Sequence, residues 1–338
     1  MASALRLNGG GDMTVVNRIR GDFQDMSRAF VFPGQGSQEV GMGRELSEAF
    51  EAARFVFEEV DDALEKRLSR IIFEGPQEEL TLTENAQPAL MAMSMAVVRV
   101  LQDEGGTSVS DAASFVAGHS LGEYSALAAA GALSLADTAR LLQTRGEAMQ
   151  AAVPVGAGAM AAILGPSLEE VEAIAADAAD DQVCDVANDN SEGQVVVSGN
   201  TEAVERAVEI GKERGARRAV LLPVSAPFHC SLLEPAADVM TYALASAEIS
   251  APNPPVVANV TATPVSDPDD IRSLLIEQVT SRVRWRECVL AMRDAGVEEL
   301  CELGAGKVLT GLNRRIDREL SGRAIGAPSD IEEFLGSL

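Results

Sequence analysis

Residues 113–122 read Ala113-Ser114-Phe115-Val116-Ala117-Gly118-His119-Ser120-Leu121-Gly122. A short apolar run ends in two glycines that bracket a serine at G-x-S-x-G spacing, and a stretch rich in alanine and leucine follows. Glycine on both sides permits a strained strand-to-helix turn that lifts the serine hydroxyl clear of the backbone and sets it beside the first N–H groups of the helix. Strand, tight turn and helix predict an α/β core, with Ser120 as candidate nucleophile.

Arg28-Ala29-Phe30-Val31-Phe32 is a second apolar run, closed by Pro33-Gly34-Gln35-Gly36-Ser37-Gln38. It reads as a buried strand emptying into a loop with exposed N–H groups. Amphipathic spacing predicts helices from Leu46 to Leu68 and from Gln87 to Leu101, the second with Pro88 near its start. The uncharged stretch from Tyr124 to Ala136 is shorter than the ~20 residues of a bilayer span and reads as a buried helix.

Residues 157–223 have their own rhythm. Strands are expected at 159–164, 183–187, 194–198 and 218–224, with helices opening at Ser167-Leu168-Glu169-Glu170, a capping-box pattern, and at Thr201. The order βαββαβ is that of a split-βαβ, ferredoxin-like unit inserted in the larger α/β domain. Further strands are expected at 256–260 and 300–303, the latter ending in Gly304-Ala305-Gly306. Asn188 and Asn190 read as turn formers in preference to pocket residues.

Composition narrows the function. The 338 residues leave room for about two domains, and 46% hydrophobic with 23% charged residues excludes wholesale disorder and collagen-like chains. The formal charge of -25 opposes binding to nucleic acid or to an anionic membrane. Lysine occurs only at Lys66, Lys212 and Lys307, and an acidic, lysine-poor chain suits a high-salt habitat. Four cysteines without a CxxC pair, beside two histidines, make a metal site unexpected. Residues 1–27 are expected to form a disordered extension, a transit peptide being disfavoured by their acids, and Met26 is a possible second start.

A serine nucleophile needs a base, and the two histidines limit the choice. His119 neighbours the serine on the turn, where successive side chains diverge. His229, in Pro223-Val224-Ser225-Ala226-Pro227-Phe228-His229-Cys230, follows the fourth strand of the inserted unit and falls at the domain junction.

Together these segments resemble the malonyl-CoA:acyl carrier protein transacylases of fatty-acid synthesis. The likeness runs from Phe30 to about Arg315 through Phe32-Pro33-Gly34-Gln35-Gly36-Ser37-Gln38, Gln87-Pro88-Ala89-Leu90, Gly118-His119-Ser120-Leu121-Gly122-Glu123-Tyr124, Gln143-Thr144-Arg145-Gly146, Gln194-Val195-Val196-Val197-Ser198-Gly199 and Gly306-Lys307-Val308-Leu309-Thr310-Gly311-Leu312. Ala305 stands where that family commonly has proline. The resemblance implies an α/β-hydrolase-like catalytic domain of residues 28–156 and 224–338, with a ferredoxin-like subdomain at 157–223.

It further implies that Ser120 carries malonyl as an acyl-enzyme, that His229 is the base, and that Arg145 clamps the free carboxylate. The backbone N–H groups of Gln35 and Leu121 would hold the oxyanion, the Gln278 carbonyl would orient the histidine, and Phe228 would select malonyl over methylmalonyl. Malonyl-CoA and acyl carrier protein are the implied partners, with no cofactor and no metal, for a monomer in the cytoplasm. Carrier proteins are acidic, so docking is expected at Arg314, Arg315 and Arg318, with Arg282, Arg284 and Arg286 next. A serine hydrolase or thioesterase, an inactive binding module, and a malonyltransferase serving a polyketide system are the alternatives.

Overall fold

The computed structural model describes residues 27–337, so residues 1–26 of the expected extension lie outside the described residues. Among the described residues the strands are β1 (Arg28–Phe32), β2 (Phe115–Gly118), β3 (Gly158–Leu164), β4 (Cys184–Ser191), β5 (Gln194–Asn200), β6 (Arg218–Leu221), β7 (Val256–Val257), β8 (Pro264–Val265), β9 (Glu299–Leu303) and β10 (Ser321–Ile325). They form two sheets of a mixed α/β fold. The larger has the order β10-β9-β1-β2-β7-β8, parallel except for β8. Phe30 and Phe32 are buried at its centre, as an apolar run without alternation requires when helices cover both faces.

Phe32 lies opposite Gly118 in the register of β1 and β2. The loop after β1 and the serine turn after β2 therefore leave the sheet side by side, and the His119 N–H donates to the Phe32 carbonyl at 3.0 Å. Helices Thr83–Gly105 and Leu135–Ala152 pack against each other behind this edge, almost all of the first buried.

The smaller sheet is antiparallel, in the order β4-β5-β3-β6, and is covered by helices Leu168–Ala179 and Thr201–Glu213. Its core is its own: Ile163, Val171, Ile174, Val197 and Val204 form a cluster separate from the main one. The sheet is stitched to the rest where the Val283 N–H donates to the Ala187 carbonyl at 2.8 Å and the Asp189 N–H donates to the Val283 carbonyl at 3.0 Å.

Several expected elements are redrawn. The helix expected from Leu46 to Leu68 is divided into Arg44–Ala49 and Glu51–Ala63, with Leu68–Glu74 beyond. The next begins at Thr83, so Pro88 lies inside it and leaves the Glu84 carbonyl without its usual donor. The stretch from Tyr124 to Ala136 is not one helix. Gly122–Ala129 stops at a left-handed Gly131 (φ 75), and the Ser134 hydroxyl, accepting from the Asp137 N–H at 3.0 Å, caps the next helix. β4 runs four residues further than the expected strand, so Asn188 and Asn190 lie in a strand with two register shifts and the turn falls at Glu192-Gly193. Pairing on both edges, to β5 and to the Val283 segment, outweighs the weak strand propensity of asparagine.

The separate core of the small sheet makes its stability testable. Ile163→Ala removes three heavy atoms from a fully buried site, and denaturant unfolding should show a loss of about 2–5 kcal/mol. A change below about 0.5 kcal/mol would mean that this cluster does not bear on folding.

Candidate active site

The turn after β2 is tight enough to exclude side chains at both of its glycines. A Cβ on Gly118 would stand 1.9 Å from the Gly122 carbonyl, and one on Gly122 would stand 2.3 Å from the Phe32 carbonyl oxygen. Between them Ser120 adopts φ 55, a left-handed conformation that costs a non-glycine residue about 1–3 kcal/mol. Asn259 holds it there: its Oδ1 accepts the Ser120 N–H at 2.8 Å and its Nδ2 donates to the Gly118 carbonyl at 2.7 Å.

His229 also has a positive φ, 58, which swings its ring back into the cleft. Its Nε2 lies 2.7 Å from Ser120 Oγ, and its Nδ1 lies 2.9 Å from the Gln278 carbonyl oxygen. A carbonyl can only accept, so Nδ1 carries the proton and Nε2 presents its lone pair to the serine hydroxyl. Burial, then the positive charge of Arg145, pushes the imidazole pKa down to about 3. The ring is a neutral acceptor at rest.

Arg145, on the helix Leu135–Ala152, is 1% exposed. Its Nη1 donates to Gln87 Oε1 at 2.8 Å, and its Nη2 donates to Gln278 Oε1 at 2.9 Å and to Ser120 Oγ at 3.2 Å. These acceptors are two amides and a hydroxyl, none of them an anion. Nε has no partner among the described residues, and the Tyr124 ring lies 5.6 Å away. Arg145 is thus no solvated helix arginine, whereas Arg140, five residues earlier, is exposed and pairs with Asp137.

Beneath these groups lies Glu123, 2% exposed. Its Oε2 accepts the Asn259 N–H at 2.8 Å and Gln278 Nε2 at 3.0 Å. Burial lifts its carboxyl to about 7, against the opposing pull of those donors and of Arg145.

The groups face a cavity of about 330 Å³ lined by Gln35, Met149, Met160, Val196, Phe228 and Leu309, among others. Gln35 sits on the loop after β1, and its side chain accepts from Thr83 Oγ1 at 3.0 Å. Among the described residues neither the Gln35 N–H nor the Leu121 N–H has an acceptor. His119 turns away from the serine: its Nε2 lies 2.8 Å from Asn190 Oδ1, and its ring packs beside Trp285. Asn188 and Asn190 both line the cavity, correcting the turn expected there. Among the described residues no group of three His, Cys, Asp or Glu side chains could hold a metal ion, and no helix is long and apolar enough to cross a membrane.

Of the residues singled out in the sequence, the fold brings Ser120, His229, Arg145, Gln35 and Phe228 to one cavity, with Gln278 behind it bonded to His229 and Arg145, and Leu121 next to Ser120 in the chain. The sequence reading missed the side-chain work of Gln87, Gln278, Glu123 and Asn259. The available signal was a single acid in an otherwise uncharged buried helix and a lone asparagine closing an apolar strand. The arginines at the surface divide. Arg314, Arg315 and Arg318 are exposed, and Arg315 donates to Gln194, whereas Arg282, Arg284 and Arg286 are engaged with Glu172, Glu287 and Asp189.

Comparison with known proteins bears directly on this site. A family model described as acyl transferase domain matches residues 29–311. The chain is 47% identical to the malonyl CoA-acyl carrier protein transacylase of Bacillus subtilis strain 168 over 92% of its own length and 96% of the relative's. It is 46% identical to that of Escherichia coli K12, over 91% and 98%. Among solved structures, the acyl-carrier-protein-S-malonyltransferase from Bartonella henselae is 57% identical and superposes with a TM-score of 0.90, covering 92% of this chain and 99% of the other. A malonyl-transacylase in complex with its type II PKS acyl-carrier protein is 43% identical with a TM-score of 0.89, covering 92% and 100%.

The hydrogen-bond pattern fixes a protonation state that can be read directly. At about pH 5, where an ordinary imidazole is mostly charged, nitrogen-15 NMR should show His229 neutral with its proton on Nδ1. An imidazolium signal there would contradict the assignment.

Proposed function

The chain belongs to the acyl transferase domain family, and from that membership and the geometry of the cleft we propose that it transfers the malonyl group of malonyl-CoA to the phosphopantetheine thiol of acyl carrier protein, supplying fatty-acid elongation. It is an acyltransferase. The observation that carries the reading is Ser120 Oγ, held between the unprotonated Nε2 of His229 at 2.7 Å and the Arg145 guanidinium at 3.2 Å.

In the proposed reaction Ser120 Oγ attacks the thioester carbonyl while its proton passes to His229 Nε2. The tetrahedral oxyanion takes the free N–H groups of Gln35 and Leu121, a pair of donors worth about 3 kcal/mol each to the barrier. Collapse breaks the carbon–sulfur bond, the departing sulfur takes the proton from His229, and CoA leaves with malonyl esterified to Ser120. The thiol of the carrier protein then repeats the sequence in reverse. Arg145 holds the malonyl carboxylate throughout, the Gln278 carbonyl keeps the imidazole in its tautomer, and Phe228 walls the space beside the acyl α-carbon. A neutral ester has no use for a buried guanidinium, which is what sets this reading above a serine hydrolase or thioesterase.

The same reading takes residues 28–156 and 224–338 as an α/β-hydrolase-like catalytic domain and 157–223 as a ferredoxin-like subdomain. It needs no cofactor and describes a cytoplasmic monomer. The carrier protein would dock at Arg314, Arg315 and Arg318, beside Val308, Leu309 and Leu312 at the mouth of the cavity. A polyketide carrier protein as the preferred acceptor would place the enzyme in that pathway instead.

Transfer of radiolabelled malonyl from CoA to carrier protein should fall at least about 10⁴-fold in Ser120→Ala, and kcat/KM should fall about 10²-fold in Arg145→Ala. Ready hydrolysis of neutral esters together with an unaffected Arg145→Ala variant would overturn the proposal. Phe228→Ala should raise the use of methylmalonyl-CoA relative to malonyl-CoA about tenfold, as expected for one methyl group against a wall; equal ratios in both proteins would remove Phe228 from the selectivity.

A further inference from the structure

Gln278 is the hub of the site, and its amide could stand either way round. As placed, Oε1 faces the Arg145 Nη2 donor at 2.9 Å, and Nε2 faces three oxygens: Glu123 Oε2 at 3.0 Å, the Ser120 carbonyl at 3.1 Å and Asn259 Oδ1 at 3.4 Å. Rotated by half a turn, Nε2 would meet a guanidinium that cannot accept, and Oε1 would meet those oxygens without a proton between them. Of the three, Glu123 is the ionisable one, and its carboxylate oxygen is also anchored by the Asn259 N–H. A carboxyl buried in a helix whose every residue is buried is costly to keep unless a specific contact is made there.

Resting on the malonyl-transfer reading above, we infer that Glu123 is a positioning residue for malonyl recognition: by accepting from Gln278 Nε2 it keeps Gln278 Oε1 against Arg145 and so fixes the guanidinium in the plane that receives the acyl carboxylate. Glu123 touches no substrate. It acts through Gln278, a neutral relay that leaves the Arg145 Nη groups at the cavity free of a competing anion. The Gln278 backbone carbonyl, which serves His229, does not depend on how the amide is turned, so the base is spared.

The experiment is steady-state malonyl transfer by the full chain carrying Glu123→Gln, with and without Arg145→Ala. Glu123→Gln replaces an acceptor with an amide that can turn a donor toward Gln278, so the Gln278 side chain loses its shortest Nε2 anchor and is held in place only by Arg145, the Ser120 carbonyl and Asn259 Oδ1. KM for malonyl-CoA should rise about tenfold with kcat within about threefold. In the Arg145→Ala background the same substitution should change kcat/KM by less than about twofold, because the clamp it aligns is gone. Equal losses in kcat, or effects of the two substitutions that simply multiply, would overturn the inference in favour of a structural acid. Should Glu123→Gln fail to fold, Glu123→Asp shortens the reach to Gln278 by one methylene, and a wild-type KM in that variant would overturn it equally. Failure of the wild-type chain to transfer malonyl at all would instead sink the functional reading.

Discussion

A guanidinium almost wholly removed from water, contacted by two amides and a hydroxyl, sets the terms for everything around it. An unmatched buried charge is among the costliest things a fold can hold, and here the cost is met by oriented dipoles in place of a touching carboxylate. The arrangement leaves the cation strongly attractive to any anion that enters the cavity. Burial, and after it this charge, lowers the basicity of His229, so the imidazole waits unprotonated 2.7 Å from the serine. On the proposed reading one charge has two effects: it grips the acid end of the acyl group, and it adds to the burial that keeps the base ready to take a proton. An acyl carboxylate arriving on Arg145 offsets part of its pull on His229, so the base strengthens when the matching cargo is in place.

The elbow that presents the serine is the counterpart constraint. With backbone oxygens at 1.9 and 2.3 Å from where a Cβ would stand, Gly118 and Gly122 admit no substitute. Because Gly122 abuts the Phe32 carbonyl, the close approach also fixes the loop carrying Gln35 relative to the serine. The Gln35 and Leu121 N–H groups, which on the proposed reading hold the oxyanion, are thereby set by main-chain packing without any side chain to hold them.

This division explains what was legible. Glycine spacing, apolar runs and a capping box are local signals, so β1, β2, the serine turn and the strand and helix order of residues 157–223 could be read directly. The two histidines isolated His229 by elimination. Gln278, Asn259 and Glu123 could not be found in the same way, since their partners lie more than 130 residues away along the chain in several cases and leave no periodic trace. Arg145 and Arg140 look alike in sequence; only the packing of Leu135–Ala152 against Thr83–Gly105 buries one and exposes the other. The asparagines of β4 misled for the complementary reason, their local preference for turns being overridden by ladders on both sides.

Charge distribution follows the same logic at larger scale. The chain carries 52 acidic against 27 basic residues, yet its basic groups are not spread evenly among the acids. Arg282, Arg284 and Arg286 are held in ion pairs near the junction of the two sheets. Arg314, Arg315 and Arg318 stay exposed on and just beyond the helix Val308–Ile316, whose Val308, Leu309 and Leu312 line the cavity. Between two acidic proteins long-range repulsion slows encounter, and screening at physiological salt shortens it to roughly 8 Å. On the proposed reading a short basic strip beside the helix that lines the cavity acts within that range and orients the carrier protein on contact.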